Sequence, residues 1–524
     1  WIQDLGVGGV IVLGGSTAEL AARIQHMQSW SPVPLLIAAD LEQGVGQRFS
    51  GGTWMPPPMA LGAMAQSNLP QACAHAKAMG AITAQEATAV GLNWMLAPIV
   101  DVNNNPGNPA ISLRAFGETP EIVIPLIEAF IQGAQGYQVL TTAKHFPGHG
   151  DTAIDPHLDL PVIPHSRPHL EQIELAPFQA AIAAGVDTVM TAHLQVPALD
   201  PKYPATFSPL ILTQLLRQEM GFDGLIVTDA LVMQAVTQRY GVYEAPILAL
   251  EAGADVILMP VDPPGTIDAI CHALETERLS QDKLQASLER IWRAKQQIFN
   301  STPQVEQTDP EQTHLKAKSQ TTHPAGLAWV EKVCQPQASE LCRTVLQQSL
   351  KIHLPSVSEV HPAPVQREFT SSYTNGATNL IVVDNLLQSS FLGLHTPAIK
   401  MPQSWGYRLQ WVDRQTPLIE KIHDLQPTLL QLFIQANPFQ NTAGLIQLTQ
   451  GWLDELRTTG NLQAVVLYGS PYIWEQLLSS LPAEIPAVFS YGQIPIAQAI
   501  ALEKLLDLGL RVPARHLIDQ QFTT

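Results

Sequence analysis

Between Thr141 and Pro161 the chain reads TTAKHFPGHGDTAIDPHLDLP, gathering Lys144, His145, His149, Asp151, Asp155, His157 and Asp159 into one short stretch. Charges this dense do not belong in a core, because a buried charge must be paired or hydrogen-bonded to be tolerated. The stretch is therefore expected to be a loop at a site. Pro147, Gly148 and Gly150 set its turns, and Asp155 stands two residues before His157, close enough for carboxylate and imidazole to hydrogen-bond in a bent loop. A metal-binding loop or a purely structural one are the competing readings. Against the metal, the spacings of His145, His149, Asp151 and His157 fit no common zinc pattern, and a lysine beside the first histidine opposes a cation. No metal and no cofactor is expected. For His149 and Asp151 taken singly, turn stabilisation by side-chain to backbone bonds is an equal alternative. Asp229, in the run GLIVTDALVM, is a carboxylate that can serve as nucleophile, general base or helix cap. The cationic and hydrogen-bonding partners on the Lys144 loop shift that balance toward chemistry.

The elements that position these residues are apolar runs alternating with helical patterns up to about residue 300. The runs are Gly9 to Leu13, Pro34 to Ala38, Leu92 to Val100, Val139 to Ala143, Thr188 to Ala192, Leu225 to Thr228 and Asp255 to Met259. Runs continuous in Val, Ile and Leu suit a parallel sheet buried on both faces. Their number and spacing predict a TIM-type (β/α)8 barrel whose first unit is incomplete or lies upstream of Trp1, with a doubly wound sheet as the alternative. Polar residues recur just past these runs: Asp40 and Glu42, Asp101 and Asn103, Lys144 and His145, His193, and Asp229. In a barrel all of them share the carboxyl-terminal face, where active sites are built. His193 can equally line the wall of such a site or touch what binds there.

A helix with apolar residues at Leu284, Leu288, Ile291 and Ile298 closes the first domain, 1–300. The stretch 301–345 is read as a linker, being rich in Gln, Thr, Pro and Ser from Ser301 to Pro324. A smaller α/β/α sandwich is expected over 346–524, with strands near Leu380 to Val383, Leu429 to Ile434, Ala464 to Tyr468 and Ala487 to Tyr491 and a helix over Pro495 to Leu508. It has no comparable cluster of His, Asp and Lys, so a packing or capping role is expected of it.

Composition narrows the partners. A formal charge of −18, from 46 acids against 28 bases, opposes nucleic acid and anionic membrane surfaces. No apolar run reaches the roughly 18 residues that span a bilayer. Cys73, Cys271, Cys334 and Cys342 have no metal or redox spacing, which favours a reducing compartment, and a cytoplasmic, monomeric protein is expected.

These motifs match a family. LTTAKHFPGHGDTAIDPH, with IAADLEQG at Ile37 to Gly44, NPAISLRAFG at Asn108 to Gly117, TAHLQVPALDP at Thr191 to Pro201 and FDGLIVTDALVM at Phe222 to Met233, closely resembles glycoside hydrolase family 3, in particular its bacterial β-N-acetylhexosaminidases. The resemblance implies a retaining hydrolase that releases terminal, non-reducing β-linked N-acetylglucosamine, acting on a small carbohydrate of the cell-wall type. It implies Asp229 as nucleophile, His157 as general acid/base with Asp155 its partner, and Asp40, Arg114, Lys144 and His145 as the grip on the sugar. Retaining glycosidases usually pair two carboxylates. An imidazole can replace the second, since its pKa near 6.5 lies close to working pH and a neighbouring carboxylate favours its charged form. The chain departs from the family pattern at Gln43, where a glycine is common, at Gly46, where a larger residue is usual, and at AISLR, where glycine and glutamate typically precede the arginine.

Three other functions fit parts of this pattern. A family 3 β-glucosidase would draw a catalytic glutamate from the second domain and would not need Asp155 and His157. A phosphorylase is favoured by an acid/base that repels phosphate less than a carboxylate does. A non-catalytic sugar-binding protein would require an occluded barrel.

Overall fold

Strands buried on both faces can be short and wholly apolar, and the N-terminal half uses such strands in sequence. The computed structural model describes residues 1–152, 160–299, 329–354, 376–415, 426–435, 443–510 and 512–513. These form two units, Trp1–Leu341 and Cys342–Thr524. In the first, β1 (Gly9–Ile11), β2 (Leu36–Ala39) and β3 (Trp94–Met95) pair in parallel, as do β4 (Thr142–Phe146), β5 (Thr188–Thr191) and β6 (Leu225–Val227). Parallel bridges Trp94 to Leu140 and Ile99 to Lys144 join the two sets, and Val227 to Val256 carries the order on to the seventh apolar run. That run makes a bridge and not a full strand. Helices Thr17–Trp30, Pro58–Val90, Pro120–Ala134 and Ala176–Ala183 lie between successive strands, the βα alternation of a TIM-type barrel.

Alternate residues along a strand face the same way. Leu36 and Ala38, Trp94 and Leu96, and Leu225 and Val227 form one buried cluster with Leu140 and Met190, closed by Ile298 of the helix Gln281–Phe299. The same period carried one step further places Asp40 beyond Ala38 and Asp229 beyond Val227, on the same inward face. Below this level Trp94 Nε1 donates to Thr142 Oγ1 at 2.9 Å and Thr188 Oγ1 at 3.1 Å. The indole thus braces the position two residues before Lys144.

In the second unit a six-stranded sheet is formed by β7 (Lys351–His353), β8 (Ala377–Val382), β9 (Tyr407–Val412), β10 (Thr428–Ile434), β11 (Leu462–Gly469) and β12 (Ala487–Ser490). The spatial order is β9-β8-β10-β11-β12-β7, parallel except for β7. Helices Pro397–Ser404, Ala443–Thr458, Pro471–Ser480 and Pro495–Asp507 alternate with the strands, as an α/β/α sandwich requires. The two edge strands, β7 and β9, were not anticipated from the sequence. The Ser301 to Pro324 stretch lies outside the described residues. Within 301–345 the described part holds the turn Val330–Lys332 and the start of the helix Pro336–Gln348, and Cys334 N donates to Glu86 Oε1 at 2.9 Å. Among the described residues no helix is long and apolar enough to cross a membrane.

Replacing Trp94 by Phe removes a buried donor shared by two hydroxyls and leaves a void beneath the Lys144 level. Urea unfolding of the first unit is expected to show a loss of about 2–3 kcal/mol. An unchanged midpoint would mean that the indole does not brace the barrel.

Candidate active site

Lys144, in β4, points its ammonium into the interior, and its side chain is 1% exposed. Nζ donates to Asp40 Oδ1 at 2.7 Å and lies 2.7 Å from Glu42 Oε1. Two of its three donors are thereby engaged. Glu42, itself buried, also receives Arg114 in a bidentate pair, from Nε to Oε2 and from Nη2 to Oε1, both at 2.8 Å. Arg114 Nη1 is held by the Ala110 carbonyl at 2.8 Å, and Arg48 reaches Asp40 Oδ2 at 3.3 Å. Burial alone would raise the Glu42 pKa, but Arg114 and Lys144 hold it well below the ordinary value. Burial likewise opposes the charge on Lys144, and Asp40 and Glu42 more than offset it, keeping the ammonium above its usual range. The sequence-derived grip residues Asp40, Arg114 and Lys144 therefore share one network. Its buried members are Lys144 and Glu42; Asp40 and Arg114 keep 26% and 27% of their side chains exposed.

The turn that follows is organised by Asp101. Its carboxylate accepts from the His145 N–H at 3.1–3.2 Å and from the His149 N–H at 2.7 Å, and its Oδ2 lies 2.9 Å from His145 Nδ1. Asn108 completes the turn, donating through Nδ2 to the carbonyls of His149 and Gly150 at 2.8 Å each and accepting from Ala110 and Ile111. The backbone at Gly150 presses so close to the preceding segment that a Cβ there would lie 1.5 Å from the Val102 carbonyl oxygen. His149 Nδ1 pairs with Thr152 Oγ1 at 2.9 Å. Burial, reinforced by His145, pushes His149 down to about 4 and keeps the ring neutral.

Asp229 sits half-buried at the end of β6, its Oδ1 receiving the Ala230 N–H at 2.7 Å. Burial would raise its pKa, yet His145 first, then His193, the Ala230 N–H and Lys144, hold the carboxyl below the ordinary value. His193 is fixed by Thr206 Oγ1 at 2.8 Å on Nδ1 and by the Ala230 carbonyl at 3.3 Å on Nε2. An ionised carboxylate thus meets imidazoles and an ammonium around one space at the strand ends. Such a group can attack an electrophilic carbon or steady a developing positive charge. Asp155 and His157 lie outside the described residues.

Glu42, Asp101 and Asn108 were not among the sequence-derived site residues. The first two were visible as strand-end acids, but their partners lie 72 and 44 positions away. Two departures from the family pattern also find their setting. A Cβ at Gly46 would lie 2.3 Å from Trp54 N, so this turn admits only glycine. Ser112 takes a φ of 44°, the left-handed region where the glycine typical of the pattern is unstrained, and its N–H is held by Asn103 Oδ1 at 2.9 Å.

Residues 1–294 match the family model described as the glycosyl hydrolase family 3 N terminal domain, and residues 370–507 match the bacterial glycosyl hydrolase family 3 C-terminal domain. The chain is similar to a beta-hexosaminidase A of Pseudoalteromonas piscicida, 36% identical over 332 residues, which is 57% of this chain and 55% of that one. It is also similar to a beta-hexosaminidase of Stenotrophomonas maltophilia, 36% identical over 297 residues, covering 55% of this chain and 86% of the other. The match therefore spans about half the length of the first relative and most of the second. Among solved structures it resembles a glycoside hydrolase family 3 beta-N-acetylglucosaminidase from Paenibacillus, with a TM-score of 0.74 and 30% identity, covering 98% of this chain and 93% of that one.

The neutral His149 makes the fold acid-sensitive. An unfolded chain protonates this histidine near pH 6.5, whereas the folded one refuses the proton until about pH 4, so stability is full above pH 6.5 and falls as pH drops toward 4. The loss from this group is about 3 kcal/mol. Urea unfolding at pH 7 and pH 4.5 should show a smaller acid loss for His149→Gln than for the parent chain; equal losses would rule out the buried neutral ring as the cause.

Proposed function

Since the chain belongs to glycosyl hydrolase family 3, we propose that it is a retaining β-N-acetylhexosaminidase that releases terminal β-linked N-acetylglucosamine from cell-wall-type saccharides. The observation that carries this reading is the ionised Asp229 carboxylate, held low by His145, His193 and Lys144 at the ends of the barrel strands. The beta-hexosaminidase names of the curated relatives support the substrate class.

In the first step an Asp229 oxygen attacks the anomeric carbon as the bond to the leaving oxygen breaks. His157, charged and oriented by Asp155, gives that oxygen its proton. In the second step neutral His157 takes a proton from water, the water oxygen bonds to the anomeric carbon, and Asp229 leaves as carboxylate. This is the two-carboxylate scheme of retaining enzymes with an imidazole in one role. Asp40 accepts from sugar hydroxyls, while Arg114 donates to them. Lys144 and Glu42, buried behind these two, fix their geometry, and His145 keeps Asp229 ionised.

Asp229→Ala should lower release of p-nitrophenol from its β-N-acetylglucosaminide by roughly a thousandfold or more. Near-parental rates would reject the nucleophile. Added phosphate should leave the product as free sugar; formation of the sugar 1-phosphate would make the protein a phosphorylase instead.

His157→Ala should cost roughly 10- to 100-fold more on a natural disaccharide than on an aryl glycoside whose leaving group needs no proton. Equal losses on both substrates would remove His157 from the acid role.

A further inference from the structure

Beyond the loop, His165, His169 and Glu174 gather on and around the short helix Arg167–Gln172. One ligand atom from each lies within 4.8 Å of the other two. Glu174 is 3% exposed, and neither its carboxylate oxygens nor His169 Nε2 completes a well-formed hydrogen bond, although the Asn104 side chain and the Glu174 N–H lie near the carboxylate. His169 Nε2 stands 3.7 Å from Glu174 Oε1, too far for a hydrogen bond. It is close to the separation of about 3.3 Å that two ligand atoms keep around one tetrahedral zinc with bonds near 2.0 Å. Buried polar groups are ordinarily satisfied, so such atoms facing one another at this spacing point to a missing common partner. The two imidazoles lie side by side, with ring centres 4.1 Å apart, and His165 Nε2 meets Asp151 Oδ2 at 2.5 Å. A carboxylate on one ring nitrogen is the orienting contact that metal-ligating histidines habitually carry, and it leaves Nδ1 for an ion.

We infer that His165, His169 and Glu174 form a binding site for a divalent cation of the zinc class, with Asp151 orienting His165. Two imidazoles and one carboxylate are an established zinc donor set. Its three ligands are distinct from the Lys144 network and from Asp229, yet the site touches the loop that follows Lys144. Asp151 ends the described part of that loop, and Gly148 packs so tightly on Glu174 that a Cβ there would lie 2.6 Å from the Glu174 Cβ. A bound ion would therefore fasten the helix to the backbone that carries His145 and His149.

The test is zinc binding by the full-length chain, stripped with a chelator and titrated with Zn²⁺ against a chromophoric competitor. One zinc per chain is expected, weakened at least tenfold in His169→Ala and in Glu174→Gln. His169 is substantially exposed, so its variant should fold even if the buried Glu174→Gln does not, and circular dichroism checks both. Absence of stoichiometric binding by the parent chain, or unchanged affinity in a folded His169→Ala, overturns the inference.

Discussion

The site depends on one ion cluster, the buried Glu42 and Lys144 with the partly exposed Arg114. Glu42 follows β2, Arg114 ends the turn Ser112–Arg114 beyond β3, and Lys144 belongs to β4, so a single carboxylate ties three strand ends together. Taking a charge out of water costs several kcal/mol, and removing one member of a buried pair typically costs about 3–5 kcal/mol because its partner is left uncompensated. None of the three groups can relax into solvent without uncovering the others. The relative placement of the strand ends is thereby held by electrostatics as well as by the apolar layer beneath.

Of this cluster Lys144 helps to set the state of Asp229, after His145, His193 and the Ala230 N–H. A half-buried carboxylate ordinarily gains protons through desolvation. Here the cationic surroundings reverse that tendency. The cluster is layered: Lys144 and Glu42 are its buried charges, and Asp40 and Arg114 keep about a quarter of their side chains exposed.

Much of this architecture was legible in the residues alone, for a definite reason. Parallel strands covered on both sides appear as unbroken apolar runs, and six of the seven runs in the first unit became strands. The edge strands of the second unit escaped because they are half-exposed and polar: Lys351–His353 reads KIH and Tyr407–Val412 reads YRLQWV. Among site residues, Asp40, Lys144, His145 and Asp229 stood out because acids and bases recur just past strands. Glu42 and Asp101 had the same signal, but their function is set by partners distant in sequence, which no local pattern encodes. His165, His169 and Glu174 drew no notice, since helical spacing alone does not reveal which side chains are left without well-formed hydrogen bonds.

The turn at Asp101 bears on how such loops could be exchanged. One side chain, supplied by the segment after β3, receives the main-chain N–H groups of both His145 and His149 together with an imidazole nitrogen. The KHFPGHG loop is thus not a self-contained cassette. Transplanted into a barrel lacking an acid at that place, it would carry two peptide donors and a ring inward with nothing to receive them. Motif and acceptor work as one unit, although 44 positions separate Asp101 from His145.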